Sequence, residues 1–230
     1  MSGVREIAFD TETTGFDARG DDRLTEIGCV ELIDFMPTGK TYHTYVDPQR
    51  ELSAKVTEIT GLTTEFLKGK PLFEDIAQDF IDFVGDSPMI AHNANFDRGF
   101  INAGLERAGF AIYPSNRFID TLMIARQKFP GASNTLDALC RRFDISLATR
   151  ETHGALVDAE LLAKVYLELN GGRARILDFQ EEQTSVTVTT ARARPRPAPL
   201  DSLITDEERA AHDKFVEEKL GDNAIWKRYS

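Results

Sequence analysis

The stretch Ile7-Ala8-Phe9-Asp10-Thr11-Glu12-Thr13-Thr14-Gly15 constrains this chain more than any other. It starts apolar and reads as a buried strand. Side chains alternate faces along a strand, so Ala8, Asp10 and Glu12 share one face and Ile7, Phe9 and Thr11 the other. Two carboxylates on one face repel each other, and burying charge without a counter-charge is costly; a divalent cation offsets both. The alternative is an edge strand whose acids face water, but acids are depleted in strand interiors. Thr13-Thr14-Gly15 reads as the turn that ends the strand and opens a site.

The rest of the 230 residues holds enough chain for one ample domain with an appendage, or for two small domains. Residues 24–34 and 40–47 read as strands joined by a turn at Met36-Pro37-Thr38-Gly39, an antiparallel hairpin. Ser53 is a candidate cap for a short helix ending at Gly61, and Thr63 or Thr64 for another before Gly69. Residues 71–84 make the clearest helix, because Phe73, Ile76, Ala77, Phe80, Ile81 and Val84 form one apolar stripe. Pro71 suits its first turn and Gly85 its stop. Met89-Ile90-Ala91 is a short buried strand that leads into a helix reaching about Ala108. A strand over 117–119, a helix over 120–129, a helix capped by Ser133 or Asn134 and running through Phe143, and a last core helix over 152–169 follow. Strands first and strand–helix alternation afterwards suit an α/β fold, a mixed sheet with helices on its faces.

Past Gly172 the character changes. Residues 191–199 are rich in Arg, Pro and Ala and read as an extended linker. Thr205-Asp206-Glu207-Glu208 is a capping box opening a short charged helix to about Lys219. The expected division is a folded domain over 1–172, a flexible linker over 173–203 and a C-terminal segment over 204–230.

No run of 18 apolar residues and no signal peptide are visible, so a cytoplasmic protein is expected. Cys29 and Cys140 show no metal spacing and read as buried reduced thiols. Nearly all of the net charge of −11 falls before residue 171. Lys and Arg normally supply nonspecific affinity for phosphates. The folded part is therefore a poor autonomous binder of nucleic acid, and metals or a partner must supply the attraction if nucleic acid is its substrate.

Three separated places offer carboxylates: Asp10 with Glu12, then Asp97, then Asp158. His153 precedes Asp158 by five residues, about 140° apart on a regular helix. His153 is thus expected on the loop or first turn before the helix, with Asp158 inside it, so both can approach one site. Hard carboxylate oxygens suit magnesium or manganese. Two such ions about 3.5–4 Å apart can clamp the attacking and leaving oxygens of an in-line phosphoryl displacement, with Asp10 bridging them. A histidine can take the proton of the attacking water. Taken singly, each acid reads as a solvated residue or a cap, and His153 as a structural histidine.

Three motifs in order change those odds. Residues 9–15, His92-Asn93-Ala94-Asn95-Phe96-Asp97 and His153-Gly154-Ala155-Leu156-Val157-Asp158 resemble the three motifs of the DEDDh exonuclease superfamily. Within it the chain is similar to the proofreading epsilon-subunit family of bacterial DNA polymerase III, closely over about residues 5–172 and loosely beyond. Phe129-Pro130-Gly131 and residues 134–140 share in that likeness. The resemblance implies a ribonuclease-H-like fold and hydrolysis from the 3′ end of single-stranded DNA, releasing nucleoside 5′-monophosphates. It implies that Asp10, Glu12 and Asp158 hold two metals, Mg²⁺ or Mn²⁺, with Asp97 helping at the second, and that His153 is the general base. Asp10, Glu12, Thr13 and Asp158 would meet the terminal nucleotide, and His92 and Asn93 would shape the substrate groove. Many relatives carry His-Gly-Ile where this chain has Thr60-Gly61-Leu62, so a substrate contact there falls to Thr60. The implied partners are the alpha (polymerase) subunit, bound through the C-terminal segment, and a sliding clamp. Residues 173–179, where relatives carry a clamp peptide, lack its usual Gln. The alternatives are a stand-alone exoribonuclease of the same superfamily and a non-catalytic scaffold with a nuclease fold.

Overall fold

The structure is a computed structural model that describes residues 3–148, 152–172 and 204–220. The chain divides into two compact units, Met1–Glu182 and Gln183–Ser230. The first is built on strand β1 (Arg5–Thr13), the central member of a five-stranded sheet of order β3-β2-β1-β4-β5. Ile7, Ala8 and Phe9 are fully buried, as a strand covered on both faces requires. Strands β2 (Leu24–Ile33) and β3 (Met36–Tyr45) extend the sheet antiparallel on one side. Strands β4 (Met89–Ala91) and β5 (Phe118–Asp120) extend it in parallel on the other, so the sheet is mixed as expected.

The β2–β3 hairpin turns earlier than the sequence suggests. Asp34 and Phe35 both have positive φ, 50° and 71°, as in a two-residue type I′ turn, and Met36, Pro37, Thr38 and Gly39 belong to β3. Pro37 is tolerated because β3 is an edge strand, where a missing N–H need cost no ladder bond. Phe35 packs its ring against Tyr166, centroids 5.4 Å apart.

The helices of this unit are α1 (Ala54–Thr60), α2 (Thr64–Leu67), α3 (Phe73–Val84), α4 (Ala94–Arg107), α5 (Thr121–Lys128), α6 (Leu136–Arg142) and α7 (Ala155–Leu169). Ser53 and Thr63 cap α1 and α2, and Gly61 ends α1 at φ 74°. Helix α3 starts at Phe73 rather than Pro71, because the Asp75 carboxylate accepts the Leu72 N–H at 2.9 Å and makes Leu72 the cap. Thr135, not Ser133 or Asn134, caps α6; the Asn134 amide instead donates to the carbonyls of Phe129 and Ala132. Helix α7 starts at Ala155, three residues later than expected.

These helices cover both sheet faces. Ile7 and Phe9 belong to a core with Ile76, Phe80, Phe100 and Ile101 of α3 and α4. Ala8 belongs to a second core with Ala159, Leu162, Ala163 and Tyr166 of α7. Each large side chain so buried contributes about 1.5–3 kcal/mol. Cys29 and Cys140 are buried free thiols, and burial pushes the Cys29 thiol far above its ordinary range.

In the second unit, helix α8 (Asp206–Phe215) carries the expected capping box: Glu208 N–H donates to Thr205 Oγ1 at 3.2 Å and Thr205 N–H to Glu208 Oε2 at 2.9 Å. A π-helical stretch, Val216–Leu220, follows. The expected linker over 173–203 and the clamp-peptide position at 173–179 lie outside the described residues. Among the described residues no helix is long and apolar enough to cross a membrane.

Candidate active site

The site forms where the acidic end of β1 meets the start of α7. Asp10 and Glu12 lie on the strand face that carries Ala8, the α7 side. Gly154 is an extended cap residue before α7, so His153 stands just outside the helix and Asp158 one turn inside it. Glu12, His153 and Asp158 each present a ligand-type atom, and all three atoms lie within 4.8 Å of one another. Among the described residues this is the one such group. Asp158 is buried and the His153 side chain half exposed, with Nδ1 3.2 Å from Asp158 Oδ2. The His153 backbone N–H donates to the Ile59 carbonyl at 3.1 Å, so the end of α1 fixes the chain at the histidine.

Asp10 and Asp97 stand outside that three-residue group. Asp10 is half-buried on the same strand face as Glu12. Asp97, in the first turn of α4, is buried and accepts the Thr11 hydroxyl at 2.8 Å. It therefore reaches β1 through the residue between the two strand acids. Burial drives the Asp97 carboxyl up to about 7, against the lowering effect of the Thr11 hydrogen bond. Nothing in the spacing of the motifs points to Thr11 as the tie; the strand alternation that puts it on the α4 face was the available signal.

Beside these groups a cleft of about 780 Å³ is lined by Glu12, Thr13, Phe16, Ile59, Thr60 and Phe96 among others. Asp22 clasps the loop after β1, accepting from the Thr14 hydroxyl at 2.9 Å and the Asp17 N–H at 3.0 Å. Those bonds and nearby Arg50 hold the Asp22 carboxyl below its usual range, the Asp17 backbone bond most of all. Thr60 borders the cleft, but its hydroxyl is engaged within α1, donating to Val56 O at 2.9 Å and accepting from Leu62 N at 3.1 Å. His92 lies 2.9 Å from both Thr121 Oγ1 (through Nδ1) and the Asn134 carbonyl (through Nε2), and burial lowers its pKa. It lines a separate cleft of about 560 Å³ with Arg126 and Asn134. Asn93 is exposed at φ 73°, its N–H bonded to Asp120 Oδ1 at 3.2 Å.

The model of the RNase_T exonuclease family matches residues 7–166, a span that takes in Asp10, Glu12, Asp97, His153 and Asp158. The chain is 42% identical to the DNA polymerase III subunit epsilon of Rickettsia typhi, over 96% of this chain and 99% of that one. It is 35% identical to the same subunit of Escherichia coli (strain K12), over 97% and 98% of the two chains. The chain belongs to the exonuclease family of DNA polymerase III epsilon subunits. It is a 3′–5′ exonuclease of the proofreading kind. A solved structure of Exonuclease X in complex with 5′ overhanging duplex DNA is similar at 27% identity and TM-score 0.56, covering 72% of this chain and 90% of that one. The mixed sheet with flanking helices is thus the ribonuclease-H-like exonuclease fold. Exonucleases of this family use divalent metals, and the carboxylate–imidazole donor set of Glu12, Asp158 and His153 fits one.

Proposed function

We propose that Asp10, Glu12 and Asp158 hold two divalent ions, magnesium or manganese, that Asp97 supports the second, and that His153 is the general base. The reaction is hydrolysis of the 3′-terminal phosphodiester of single-stranded or frayed DNA, releasing 5′-mononucleotides. The convergence of Glu12, His153 and Asp158 within 4.8 Å carries this reading. When bound, the ions supply Lewis-acid stabilisation of charge on the phosphoryl oxygens. Asp158 faces His153 Nδ1 and so orients the imidazole, leaving Nε2 to receive the proton of the attacking water. The half-exposed ring then passes that proton to solvent. Thr13 and Thr60 border the terminal nucleotide, Thr60 by its shape because its hydroxyl is spent locally. His92 and Asn93 border the approaching strand.

The chain works as a subunit of DNA polymerase III, as its named relatives do. The segment 204–230 anchors it to the alpha subunit, since a short capped helix is marginal alone in water and needs a partner surface. The acidic balance of the catalytic part supports the same division of labour, because the partner then presents the DNA.

His153→Ala should lower the rate on a single-stranded oligonucleotide by ~10²–10⁴ while leaving the fold intact. A near-normal rate moves the base role elsewhere, and full activity in excess chelator removes the metals. A fragment ending at Gly172 should keep this hydrolysis and lose co-elution with the polymerase. Co-elution as tight as that of the whole chain would place the anchor in the catalytic domain.

A further inference from the structure

Gly28 occupies the middle of β2, directly across the ladder from Asp10. It makes no turn and has no left-handed φ, so its backbone does not call for glycine. The reason is steric. A Cβ at this position would lie 2.2 Å from Leu156 N, 2.3 Å from the Ala155 carbonyl carbon and 2.4 Å from Leu156 Cα. All three are backbone atoms of the first turn of α7. No rotamer change relieves such an overlap; the helix must shift by on the order of 1 Å to reach ordinary contact distance. A glycine inside a strand marks the close approach of another backbone. Along the same seat the side chains are small: Ala8 on β1 and Ala155, Ala159 and Ala163 on α7 are all buried.

The turn that rests on Gly28 is the one that carries the site. His153 stands two residues before Ala155 and Asp158 three after it. We infer that Gly28 is a positioning residue for the metal site: the absence of its side chain lets α7 sit close enough to the sheet for Asp158 and His153 to reach Glu12 and Asp10. This rests on the metal role proposed above. Short aspartate side chains cannot follow a backbone that retreats, and a misplacement of 1 Å can cost about 10²-fold in rate.

The test is Mn²⁺ binding to the full-length protein without DNA, by calorimetry, alongside the Mn²⁺ dependence of oligonucleotide hydrolysis. Gly28→Ala should fold, bind Mn²⁺ at least about tenfold more weakly and lose about 10²-fold in rate at limiting metal. Part of that rate should return at high Mn²⁺. Ala159→Val, one turn along the same seat, should shift metal binding in the same direction by less. Val165→Ala, buried on the α7 side that packs with Leu139 and Cys140 of α6, should lower stability and leave the Mn²⁺ requirement at the wild-type value. Wild-type binding by Gly28→Ala, or a shift no larger than that of Val165→Ala, overturns the inference. If Gly28→Ala does not fold, Ala159→Val decides by the same comparison. If the wild-type chain itself binds no Mn²⁺, the proposed metal role fails and the inference falls with it; if only the variants behave as wild type, the inference alone fails.

Discussion

The two faces of β1 are made of the same strand and do different work. On the α3–α4 face the side chains are large: Ile7 and Phe9 interdigitate with Phe80, Phe100 and Ile101. On the α7 face they are small near the site, with Ala8 against Ala159 and Ala163 and Gly28 under the helix backbone, while Leu32, Ile90, Leu162 and Tyr166 fill the rest of that core. The first face separates helix from sheet by a layer of hydrocarbon. At Gly28 the second brings the first turn of α7 nearly onto the sheet, which is what short acidic side chains need in order to meet. Charge follows the same division. On the bulky side Glu31 is held by cations, Arg5 at 2.6 Å and Lys40 at 3.5 Å, whereas the close-packed side gathers Asp10, Glu12 and Asp158, all of one sign. Most of the acids thus gather on the close-packed face, and Asp97 reaches β1 from the other through Thr11.

The largest expected effect comes from breaking the acidic face. Asp158→Asn should cut exonuclease activity by ~10³-fold or more, because several kcal/mol of transition-state charge stabilisation are lost. The same change should leave the melting temperature of the metal-free protein equal or higher, since it removes one of a set of like charges. A thermal melt in chelator beside a rate assay checks both; a large drop in melting temperature would mean the acids are structural. The bulky face should respond the other way. Phe80→Ala, at a fully buried site, should cost about 3–5 kcal/mol in a denaturant titration, with little change in activity per folded molecule.

A smaller effect concerns Glu31. Its carboxyl is held below the usual range, first by the Arg5 hydrogen bond and then by the Thr38 hydroxyl. The folded-state pKa lies below that of the unfolded chain, so its stabilisation is complete above the unfolded value and is lost as pH falls through the folded one. Glu31→Gln should lower stability by about 1–2 kcal/mol near neutrality and flatten the acid limb of the stability–pH curve. An unchanged acid limb would assign that limb to other carboxylates. The smallest effect sharpens the contrast between two glycines of one site. A Cβ at Gly154 would meet only Glu26 Oε1, at an ordinary 3.9 Å, and φ is −144°. Gly154→Ala should therefore change stability by no more than about 0.5 kcal/mol, whereas Gly28→Ala should not be silent.

Much of this was legible in the chain. The alternation of residues 7–12 foretold both faces of β1, and Met89-Ile90-Ala91 forms β4 with the expected bounds, because short apolar runs between breakers leave few other options. The three motifs marked Asp10, Glu12, Asp97, His153 and Asp158, and the structure brings Glu12, His153 and Asp158 into one group. What the chain hid was context. Pro37 and Gly39 look like a turn and are strand residues, because edge position excuses what a central strand forbids. Phe35 at φ 71° is an improbable turn residue until Tyr166 is in place behind it. Gly28 carried a visible signal, a glycine within an apolar strand, but the backbone it makes room for lies more than a hundred residues away in sequence.

One short helix has a consequence for how such a chain can diverge. The side chains of Val56, Ile59 and Thr60 on α1 help line the cleft beside Glu12, and the carbonyl of Ile59 holds the backbone at His153. A substitution that reshapes what the cleft admits also moves the anchor of the histidine. Substrate preference and turnover therefore cannot drift as independent traits along residues 54–60; variants selected there for one should arrive carrying a change in the other, and compensating changes should accumulate around Thr152, whose side chain lies 3.4 Å from where a Cβ on Gly61 would stand.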